Sequence, residues 1–455
     1  LERAFLLKSY SIGEKKMNYR DTMNVNEKGH LQIGGVDAVD LVAKYGTPLY
    51  VMDESYIRSD CRAFRETVEN TYGEGGVAYA SKAFSCKAIY EIAKQENMYI
   101  DVVSGGEIYT ANSVGFDMKK AYFHGNNKLV SEIRLALEVG IGTFVVDSFD
   151  EIDLLDGICA EKGIIQKVLI RVNPGVEAHT HSFIQTAKVD SKFGFGVKNG
   201  YADTAVDKIK EKKNLRFAGL HCHIGSQIFD KQAFALAVDV VTDYVVKLKE
   251  RGIVVDELNF GGGFGVYYSG DDPKYDVKEY CDYVALLTSS LKAAVEKKGI
   301  KKPFFMIEPG RSIVGEAGVT LYSVGAIKDI KGIRKYLAVD GGMTDNIRPA
   351  LYDAKYDAVL ANRANEKATE VVSVAGKCCE SGDIILKDIA LPQAERGDIL
   401  AVFTTGAYNY SMSSNYNRNF IPPVVFVKDG KSAYAVRPQT YEDIVRNDLT
   451  LEYKD

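Results

Sequence analysis

The stretch VAYASKAF, residues 77–84, decides the fold because it is the first of eight similar runs in the chain. Its small and apolar residues predict a buried strand that ends on Lys82, where a helical pattern begins. Seven more runs follow, with amphipathic helical stretches between them: YIDVVSG (99–105), AYFHGN (121–126), TFVVDS (143–148), KVLIRVN (167–173), FAGLHCHIG (217–225), ELNFGGGF (257–264) and PFFMIEPG (303–310). Eight strand–helix units with continuous apolar strands predict a closed parallel (β/α)8 barrel, and an open doubly wound sheet is the alternative.

The pattern changes after Arg311 to short strands with glycine-rich turns and no long helices between them. This change predicts a second, antiparallel β domain of the sandwich or barrel-like kind. The predicted organisation is an extension at residues 1–16, an N-terminal segment at 17–47 that contributes to the β domain, the barrel at 48–312 and the β domain at 313–455. Residues 1–16 are left out of the fold prediction because Met17 is a candidate start.

Composition restricts the class of partner. The chain has 455 residues, 46% of them hydrophobic and 26% charged, and a net charge of −5 with acidic and basic residues interspersed. We therefore expect a small-molecule partner and no nucleic acid. No run approaches the 18 apolar residues of a membrane span, so no membrane is expected either. The seven cysteines are an odd number and are mostly scattered, which predicts a reducing, cytoplasmic location.

Most of the predicted strands end on side chains that can take part in chemistry. In a barrel of this kind the functional residues lie at the carboxyl ends of the strands. The residues at these ends are Lys82, Ser104 to Glu107, His124 and Asn126, Asp147 and Ser148, Arg171 and Asn173, His221, His223 and Ser226, Gly261 to Gly263, and Glu308 with Arg311. Such a concentration indicates a site and not a solvated rim.

Glycines follow the last two predicted strands, at positions 261–263 and at Gly310. Backbone N–H groups there could approach an anion at the start of a following helix, and phosphate at the loops after strands seven and eight recurs in such barrels. A lysine that can bind an aldehyde, a phosphate site and a carboxylate on the last strand together suggest pyridoxal 5′-phosphate. Lys82 would bind its aldehyde, and Glu308 would face its pyridine nitrogen.

Zinc is the rival interpretation of the sixth run. His221 and His223 are two residues apart on a predicted strand and would point to the same side, as zinc ligands can. A third ligand would have to come from a neighbouring strand end, and His179 and His181 lie beyond the fifth run. Either histidine of the pair could equally stack on a cofactor ring. A zinc-dependent barrel hydrolase is therefore the alternative from a different functional class.

The motifs taken together resemble the fold-type III pyridoxal-phosphate decarboxylases, an alanine racemase-like combination of barrel and β domain. The resemblance covers residues from about 45 to 420. It rests on YASKAF, DVVSGGE, FHGNNK, RVNPGVEAHTH, SKFGFG, GLHCHIGSQ, NFGGGFG, EPGRSIV, VDGGMTDNIRPALYDA, GKCCESGD and GAYNYSMSSNYN, in this order.

Carried over by motif, the resemblance implies that Lys82 binds the cofactor covalently, that His223 stacks on its ring and that Glu308 meets the ring nitrogen. Cys379 is implied as the proton donor. The remaining cofactor contacts are assigned to Ser226, Gly261, Gly262, Gly263, Gly310, Arg311 and Tyr408. Substrate contacts are assigned to Arg311, Arg348, Tyr352, Glu380 and Tyr408. No metal is expected.

The resemblance also implies a homodimer, in which Cys379 and Glu380 of one chain complete the site on the barrel of the other. Ornithine and arginine decarboxylases of this fold tend to carry an aspartate after the cysteine, where this chain has Glu380. The expected reaction is therefore decarboxylation of meso-2,6-diaminopimelate to L-lysine and carbon dioxide, the last step of lysine biosynthesis. An ornithine- or lysine-type decarboxylase of the same fold is the alternative.

Overall fold

The computed structural model describes residues 19–20, 22–175, 191–270 and 272–453. The chain divides into two compact units. One contains the described residues of Leu1–Ile57, Tyr267–Asp272 and Val314–Asp455, and the other those of Arg58–Val266 and Pro273–Ile313. The predicted extension at 1–16, Met17, and His179 and His181 of the zinc alternative lie outside the described residues.

Eight parallel strands form a closed barrel in the second unit. In chain order they are β1 (Gly75–Ala80), β2 (Tyr99–Val102), β3 (Ala121–Phe123), β4 (Thr143–Val146), β5 (Gln166–Asn173), β6 (Leu215–His221), β7 (Glu257–Asn259) and β8 (Phe304–Ile307). Each strand pairs in parallel with the next, and β8 pairs with β1. The eight runs predicted from the sequence are all strands, so the predicted barrel is confirmed.

Helices follow the strands along the chain. After a first helix at Glu54–Thr71, they are Lys87–Gln95, Gly105–Ser113, Val130–Glu138, Phe149–Lys162, Tyr201–Glu211, Lys231–Glu250, Val277–Lys298 and Arg311–Val314. The bounds of Val277–Lys298 show how the sequence sets them. The Asp276 carboxylate accepts from the backbone N–H of Lys278 at 2.7 Å, and Gly299 ends the helix with a left-handed φ of 56°. No helix among the described residues has the length and apolar character needed to cross a lipid bilayer.

The barrel interior is apolar in its lower layer and polar above it. The lower layer is a buried cluster of Ala78, Tyr122, Val145, Leu169, Ala218 and Met306. Side chains two residues further along a strand point the same way, towards the carboxyl end of the barrel. On β2 and β5, and directly after β3, β4 and β8, this second layer is therefore polar: Asp101, Arg171, His124, Asp147 and Glu308.

A register shift places His221 in this polar layer. The pairing of β6 with β5 is irregular between Phe217 and Gly219. Ala218 belongs to the lower core layer, and strict alternation from it would send Leu220 inward. The bulge changes the phase, so His221 reaches Glu308 instead. The barrel thus brings polar side chains from several strands to one end.

The other unit is built on a mixed sheet. Its main strand order is Ile384–Leu391, Glu370–Ala375, Arg334–Val339, Gly318–Ile330, Leu49–Asp53, Val424–Lys428 and Lys431–Val436. Ile399–Phe403 pairs with Gly318–Ile330 and with Ala358–Leu360. The predicted β domain is confirmed, but Leu49–Asp53 with Val424–Lys428 and Arg334–Val339 with Glu370–Ala375 are parallel pairs. Long connections join the strands of these two pairs, so the expectation of a purely antiparallel domain is wrong.

The smaller elements of this unit lie at both ends of the chain and between the strands. A three-stranded antiparallel sheet comprises Met23–Val25, Leu31–Ile33 and Val36–Asp37. The helices are Ala38–Tyr45, Arg348–Tyr352 and Tyr441–Val445, with single 3-10 turns at Ala361–Arg363, Tyr410–Met412 and Tyr416–Arg418.

The strand Leu49–Asp53 changes the predicted boundary between the domains. It pairs with Gly318–Ile330 on one side and with Val424–Lys428 on the other. It therefore belongs to the sheet, although the barrel was predicted to begin at residue 48. The compact unit extends to Ile57 and also includes Tyr267–Asp272, which the sequence assigned to the barrel. At the other junction the barrel unit ends at Ile313, next to the predicted 312.

Candidate active site

Lys82 is the middle residue of the 3-10 turn Ser81–Ala83, which directly follows β1. Ser81 and Ala83 are buried, whereas Lys82 is exposed. The buried neighbours fix the turn, and the amine remains accessible at the carboxyl end of the barrel. The positive charge of Lys82 acts on the carboxyl groups of Asp101 and Glu107. The predicted attachment residue is thus set beside two acidic side chains.

Glu308 directly follows β8 and is buried, with 6% of its surface exposed. Its Oε1 accepts hydrogen bonds from His124 Nε2 at 2.8 Å and from Asn259 Nδ2 at 2.7 Å. Its Oε2 accepts from His221 Nε2 at 3.0 Å. Because a carboxylate can only accept, the Nε2 atom of each histidine carries a proton. Side chains from the ends of β3, β6 and β7 therefore converge on one carboxylate.

These contacts keep Glu308 ionised. Burial alone would favour the neutral acid, but His124 and His221 outweigh it and hold the pKa of Glu308 well below its usual range. Burial lowers the pKa of His221 to about 4 in spite of the adjacent carboxylate. Burial, with the charge of Lys82, lowers the pKa of His223 well below its usual range. At neutral pH the site therefore combines an anionic carboxylate with the neutral rings of His221 and His223.

Gly261, Gly262 and Gly263 let three loops meet. A Cβ on Gly262 would lie 2.1 Å from the carbonyl oxygen of Glu308, and one on Gly263 would lie 2.2 Å from that of Gly225. Close backbone packing thus requires glycine here whether or not a ligand binds. The helix start expected directly after these glycines is wrong. Phe264 forms an isolated bridge with Ile228, and the next helix among the described residues begins at Val277.

Ser226 and Arg311 form a hydrogen-bonded pair that could bind an anion. Arg311 Nη2 donates to Ser226 Oγ at 3.1 Å, and the arginine is 9% exposed. Gly310, before it, packs so closely that a Cβ would lie 2.8 Å from the Cβ of Ala80. A guanidinium beside a hydroxyl suits the oxygens of a phosphate or a carboxylate. His223 lies nearby in the chain, and its Nδ1 accepts from the Gly262 N–H at 3.3 Å.

Arg348, Tyr352 and Tyr408 lie in the β unit. Arg348 is 7% exposed, its Nη1 donates to the Tyr356 hydroxyl at 2.6 Å, and its guanidinium lies 4.4 Å from the centre of the Tyr268 ring. Burial lowers the pKa of Arg348, but the tyrosines around it, Tyr408 included, outweigh this and raise it. Tyr352 ends the same short helix and is half-buried. Arg348 is therefore a fixed buried cation and not the surface ion pair that would be the ordinary alternative.

Cys379 and Glu380 lie on a loop of the same unit. Cys379 is an exposed free thiol whose backbone N–H donates to Asn417 Oδ1 at 2.8 Å. Glu380 is also exposed. The loop is held from beneath by the buried carboxylate of Asp383, which accepts from the N–H groups of Cys378 at 2.8 Å and Met343 at 2.6 Å. The loop therefore exposes a thiol and a carboxylate, while hydrogen bonds to Asp383 hold its backbone in place.

The comparisons with known proteins agree with this inventory. The family model for the pyridoxal binding domain of pyridoxal-dependent decarboxylases matches residues 54–315. Diaminopimelate decarboxylase from Halalkalibacterium halodurans is 49% identical over 440 residues, covering 96% of this chain and 99% of that protein. The Bacillus subtilis enzyme of the same name is 50% identical over 429 residues, covering 94% and 97%. The chain belongs to the diaminopimelate decarboxylase family.

A solved structure supports the membership. Diaminopimelate decarboxylase from M. jannaschii, crystallised with L-lysine, superimposes with a TM-score of 0.87 at 36% identity, covering 95% of this chain and 98% of that one. The resemblance to fold-type III decarboxylases and the combination of barrel and β domain are confirmed. The cofactor of this family is pyridoxal phosphate, and residues 54–315 match its binding domain.

The residues of the barrel unit fit this cofactor. Lys82 offers an accessible amine for the aldehyde. Glu308 offers a carboxylate that is held ionised for a protonated ring nitrogen. Ser226 and Arg311 offer a hydroxyl and a cation for the phosphate. Each chemical group of the cofactor thus has a suitable counterpart at the carboxyl end of one barrel.

The zinc alternative is not supported by this family or by the geometry. β6 ends at His221, so His223 lies beyond the strand and the two do not form the expected pair. Among the described residues, a group with ligand atoms within 4.8 Å of one another is instead His124, His221 and Glu308. In this group the Nε2 atoms of both histidines donate to the Glu308 carboxylate and so are not free to bind a metal. The buried Nδ1 of His221 has no hydrogen-bond partner. A zinc-binding histidine normally donates from its second nitrogen to an acceptor.

Three buried polar residues at this end of the barrel, Asn259, Asp101 and His124, received no role from the sequence. Asn259 had no assigned role, because the run NFGGGFG was interpreted only through its glycines. Asp101 was also missed, although an acidic residue in the run YIDVVSG was a signal. Burial raises the pKa of Asp101, which is 2% exposed. His124 was noted only as a strand end.

Glu107 gives a pH-dependent prediction. Burial raises its pKa from 4.5 to about 7. Because the folded state prefers the proton, its stabilising contribution is complete below pH 4.5 and is lost as the pH rises through about 7. The glutamine of Glu107→Gln does not titrate. The free energy of unfolding of this variant, relative to that of the parent, should therefore increase from pH 5 to pH 8 by up to about 3 kcal/mol, and its melting temperature should increase relative to the parent in the same direction.

The matched control is Glu138→Gln, an exposed glutamate on another barrel helix. Thermal unfolding of the three holoproteins at several pH values gives the comparison. A constant difference between Glu107→Gln and the parent from pH 5 to pH 8 would contradict the prediction.

Proposed function

We propose that this chain decarboxylates meso-2,6-diaminopimelate to L-lysine and carbon dioxide with pyridoxal phosphate as cofactor. The observation that carries the proposal is membership of the diaminopimelate decarboxylase family over nearly the full chain. The Glu308 site supports it, because an ionised carboxylate is what a protonated pyridine ring needs as a partner.

The cofactor supplies a protonated ring that accepts the electron pair left when carbon dioxide departs. Lys82 would bind it covalently, and His223 would stack on its ring. Glu308 would hold the proton at the ring nitrogen. The phosphate would be bound by Ser226, Gly261, Gly262, Gly263, Gly310, Arg311 and Tyr408. These assignments are proposals. They are supported by the positions of the barrel residues, which all follow the carboxyl ends of β1, β6, β7 or β8.

The substrate is held by groups that match its second amino acid centre. Arg311, Arg348, Tyr352, Glu380 and Tyr408 would bind its carboxylates and distal amine. The buried guanidinium of Arg348 supports a dicarboxylic substrate, because it is fixed by Tyr356 and can bind a carboxylate in two-point fashion. Cys379 would deliver the proton that replaces the lost carboxylate, and its exposure leaves the thiol accessible.

We further propose a homodimer in which Cys379 and Glu380 of one chain complete the site of the other, because both residues are exposed on their own unit. A cytoplasmic location is proposed as well. All seven cysteines are free thiols, and this supports a reducing compartment.

Product analysis tests the reaction. The holoenzyme is given meso-diaminopimelate, ornithine and lysine in separate reactions, and amine products and carbon dioxide are measured. We expect L-lysine from diaminopimelate and little product from the other two, which lack the second carboxylate that Arg348 would bind. Faster turnover of ornithine or lysine would overturn the substrate and favour the alternative decarboxylase.

A further inference from the structure

The carboxylate of Glu308 accepts three hydrogen bonds, and their donors come from the ends of three different strands. We propose that His124, His221 and Asn259 are positioning residues that fix Glu308 as an oriented carboxylate and thereby keep the proton on the cofactor's ring nitrogen. This inference rests on the proposed function, because it assumes that Glu308 faces that nitrogen.

Asn259 connects the Glu308 carboxylate to the backbone after β7. Its Nδ2 donates to Glu308 Oε1 at 2.7 Å, while its Oδ1 accepts from the Gly261 N–H at 2.9 Å. The residue is 1% exposed, so water cannot replace either contact. One amide thus ties the orientation of the carboxylate to the first glycine after β7. The Glu308 N–H also donates to the Gly261 carbonyl oxygen at 2.8 Å.

The two histidines hold the carboxylate from other directions. His124 donates to one oxygen and His221 to the other, so rotation about the carboxylate axis would break both contacts. Their rings pack edge to face with centroids 4.7 Å apart, and they are 4% and 1% exposed. A carboxylate held at both oxygens in a dry site keeps its charge and direction without reorganisation.

The sharpest test replaces the NH2 group of the Asn259 side chain by an oxygen. Asn259→Asp keeps the shape and the acceptor for Gly261, but it sets a second carboxyl against Glu308 Oε1. Two adjacent carboxyls share a proton, so Glu308 would lose much of its negative charge. The protein is reconstituted with cofactor labelled with ¹⁵N in the ring, and the ring nitrogen signal, the cofactor dissociation constant and turnover are measured. Asn199→Asp, at an exposed asparagine of the barrel unit, is the matched control.

We expect Asn259→Asp to shift the nitrogen signal towards that of a neutral pyridine, to weaken cofactor binding, and to lower kcat by about 10- to 100-fold, the range found for residues that orient metal ligands. Asn199→Asp should match the parent in all three measurements. A purely structural role of Asn259 would lower the melting temperature and leave the ring nitrogen signal of the folded holoenzyme unchanged.

A second pair of variants keeps the inference testable if Asn259→Asp does not fold. His124→Gln places an amide N–H near the position of Nε2, whereas His124→Leu removes the donor. The glutamine variant should keep the parental nitrogen signal more closely than the leucine variant. Equal signals in both, at the parental value, would overturn the positioning role of His124.

Glu308→Gln distinguishes failure of the positioning inference from failure of the proposed role of Glu308. If it moves the nitrogen signal while Asn259→Asp and both His124 variants do not, the positioning inference is wrong and the proposed role of Glu308 stands. If Glu308→Gln itself leaves the signal unchanged, the assignment of Glu308 to the ring nitrogen fails, and the inference fails with it.

Discussion

Lys82→Ala is expected to abolish both the visible absorption of the holoenzyme and its decarboxylase activity. Without the amine, the aldehyde of the cofactor has no covalent partner, and the remaining contacts bind it only reversibly. We expect turnover to fall by about 10³-fold or more, because covalent attachment and the orientation that it provides are both lost. Lys82 is exposed, so the fold should not change. Absorption spectra and carbon dioxide release measure the two effects.

Lys87→Ala is the control for the loss of a positive charge near this end of the barrel. Lys87 is also exposed and begins the helix after the Lys82 turn. This variant should keep the chromophore and most of the activity. If Lys82→Ala decarboxylated at the parental rate, the attachment role would have to be given to another residue.

Cys379→Ala should spare cofactor binding and lower turnover by about 10²- to 10⁴-fold, the range for loss of a positioned proton donor. The thiol is exposed, and the loop that carries it is held by Asp383 through backbone contacts that the substitution leaves in place. Cys378→Ala is the matched control, because Cys378 is adjacent but buried. Turnover of each variant, measured at equal cofactor content, gives the comparison. Equal turnover of Cys379→Ala and the parent would contradict the assignment.

Mixed chains test whether the site is shared between subunits. Lys82→Ala and Cys379→Ala are each inactive in the proposed dimer, but a dimer with one chain of each has one intact site. With random exchange at equal amounts, recovered activity should approach about a quarter of the parental value. Complete absence of recovery, in mixtures shown by mass spectrometry to contain heterodimers, would contradict a shared site.

The barrel was predictable from the sequence because its signals are local. The strand Thr143–Val146, for example, is buried at every residue and has three consecutive apolar residues, as a strand covered on both faces should, and turn or helix signals bound each run. The functional end of the barrel followed from the same pattern, since strand direction alone sets which residues lie at the carboxyl ends. Lys82 and Glu308 could therefore be proposed as partners of one cofactor before any contact was known.

The boundary of the β unit was harder to predict. Leu49–Asp53 is apolar and buried like a barrel strand, and nothing in its own residues distinguishes the two sheets. Its partners are residues 318–321 and 424–427, which are far away in the chain. Pairing at such separation depends on the whole fold, so sequence pattern alone placed this strand in the wrong domain.

The sequence by itself determined the eight strands, their direction and the residue types at their ends, because side-chain alternation and apolar runs are properties of neighbouring residues. Only the tertiary structure decided that Glu308 meets His124, His221 and Asn259. The bulge at Phe217 to Gly219 turns His221 inward, and closure of the barrel brings the ends of β3, β6, β7 and β8 together. Such convergence depends on strand register across the barrel, which no local pattern contains.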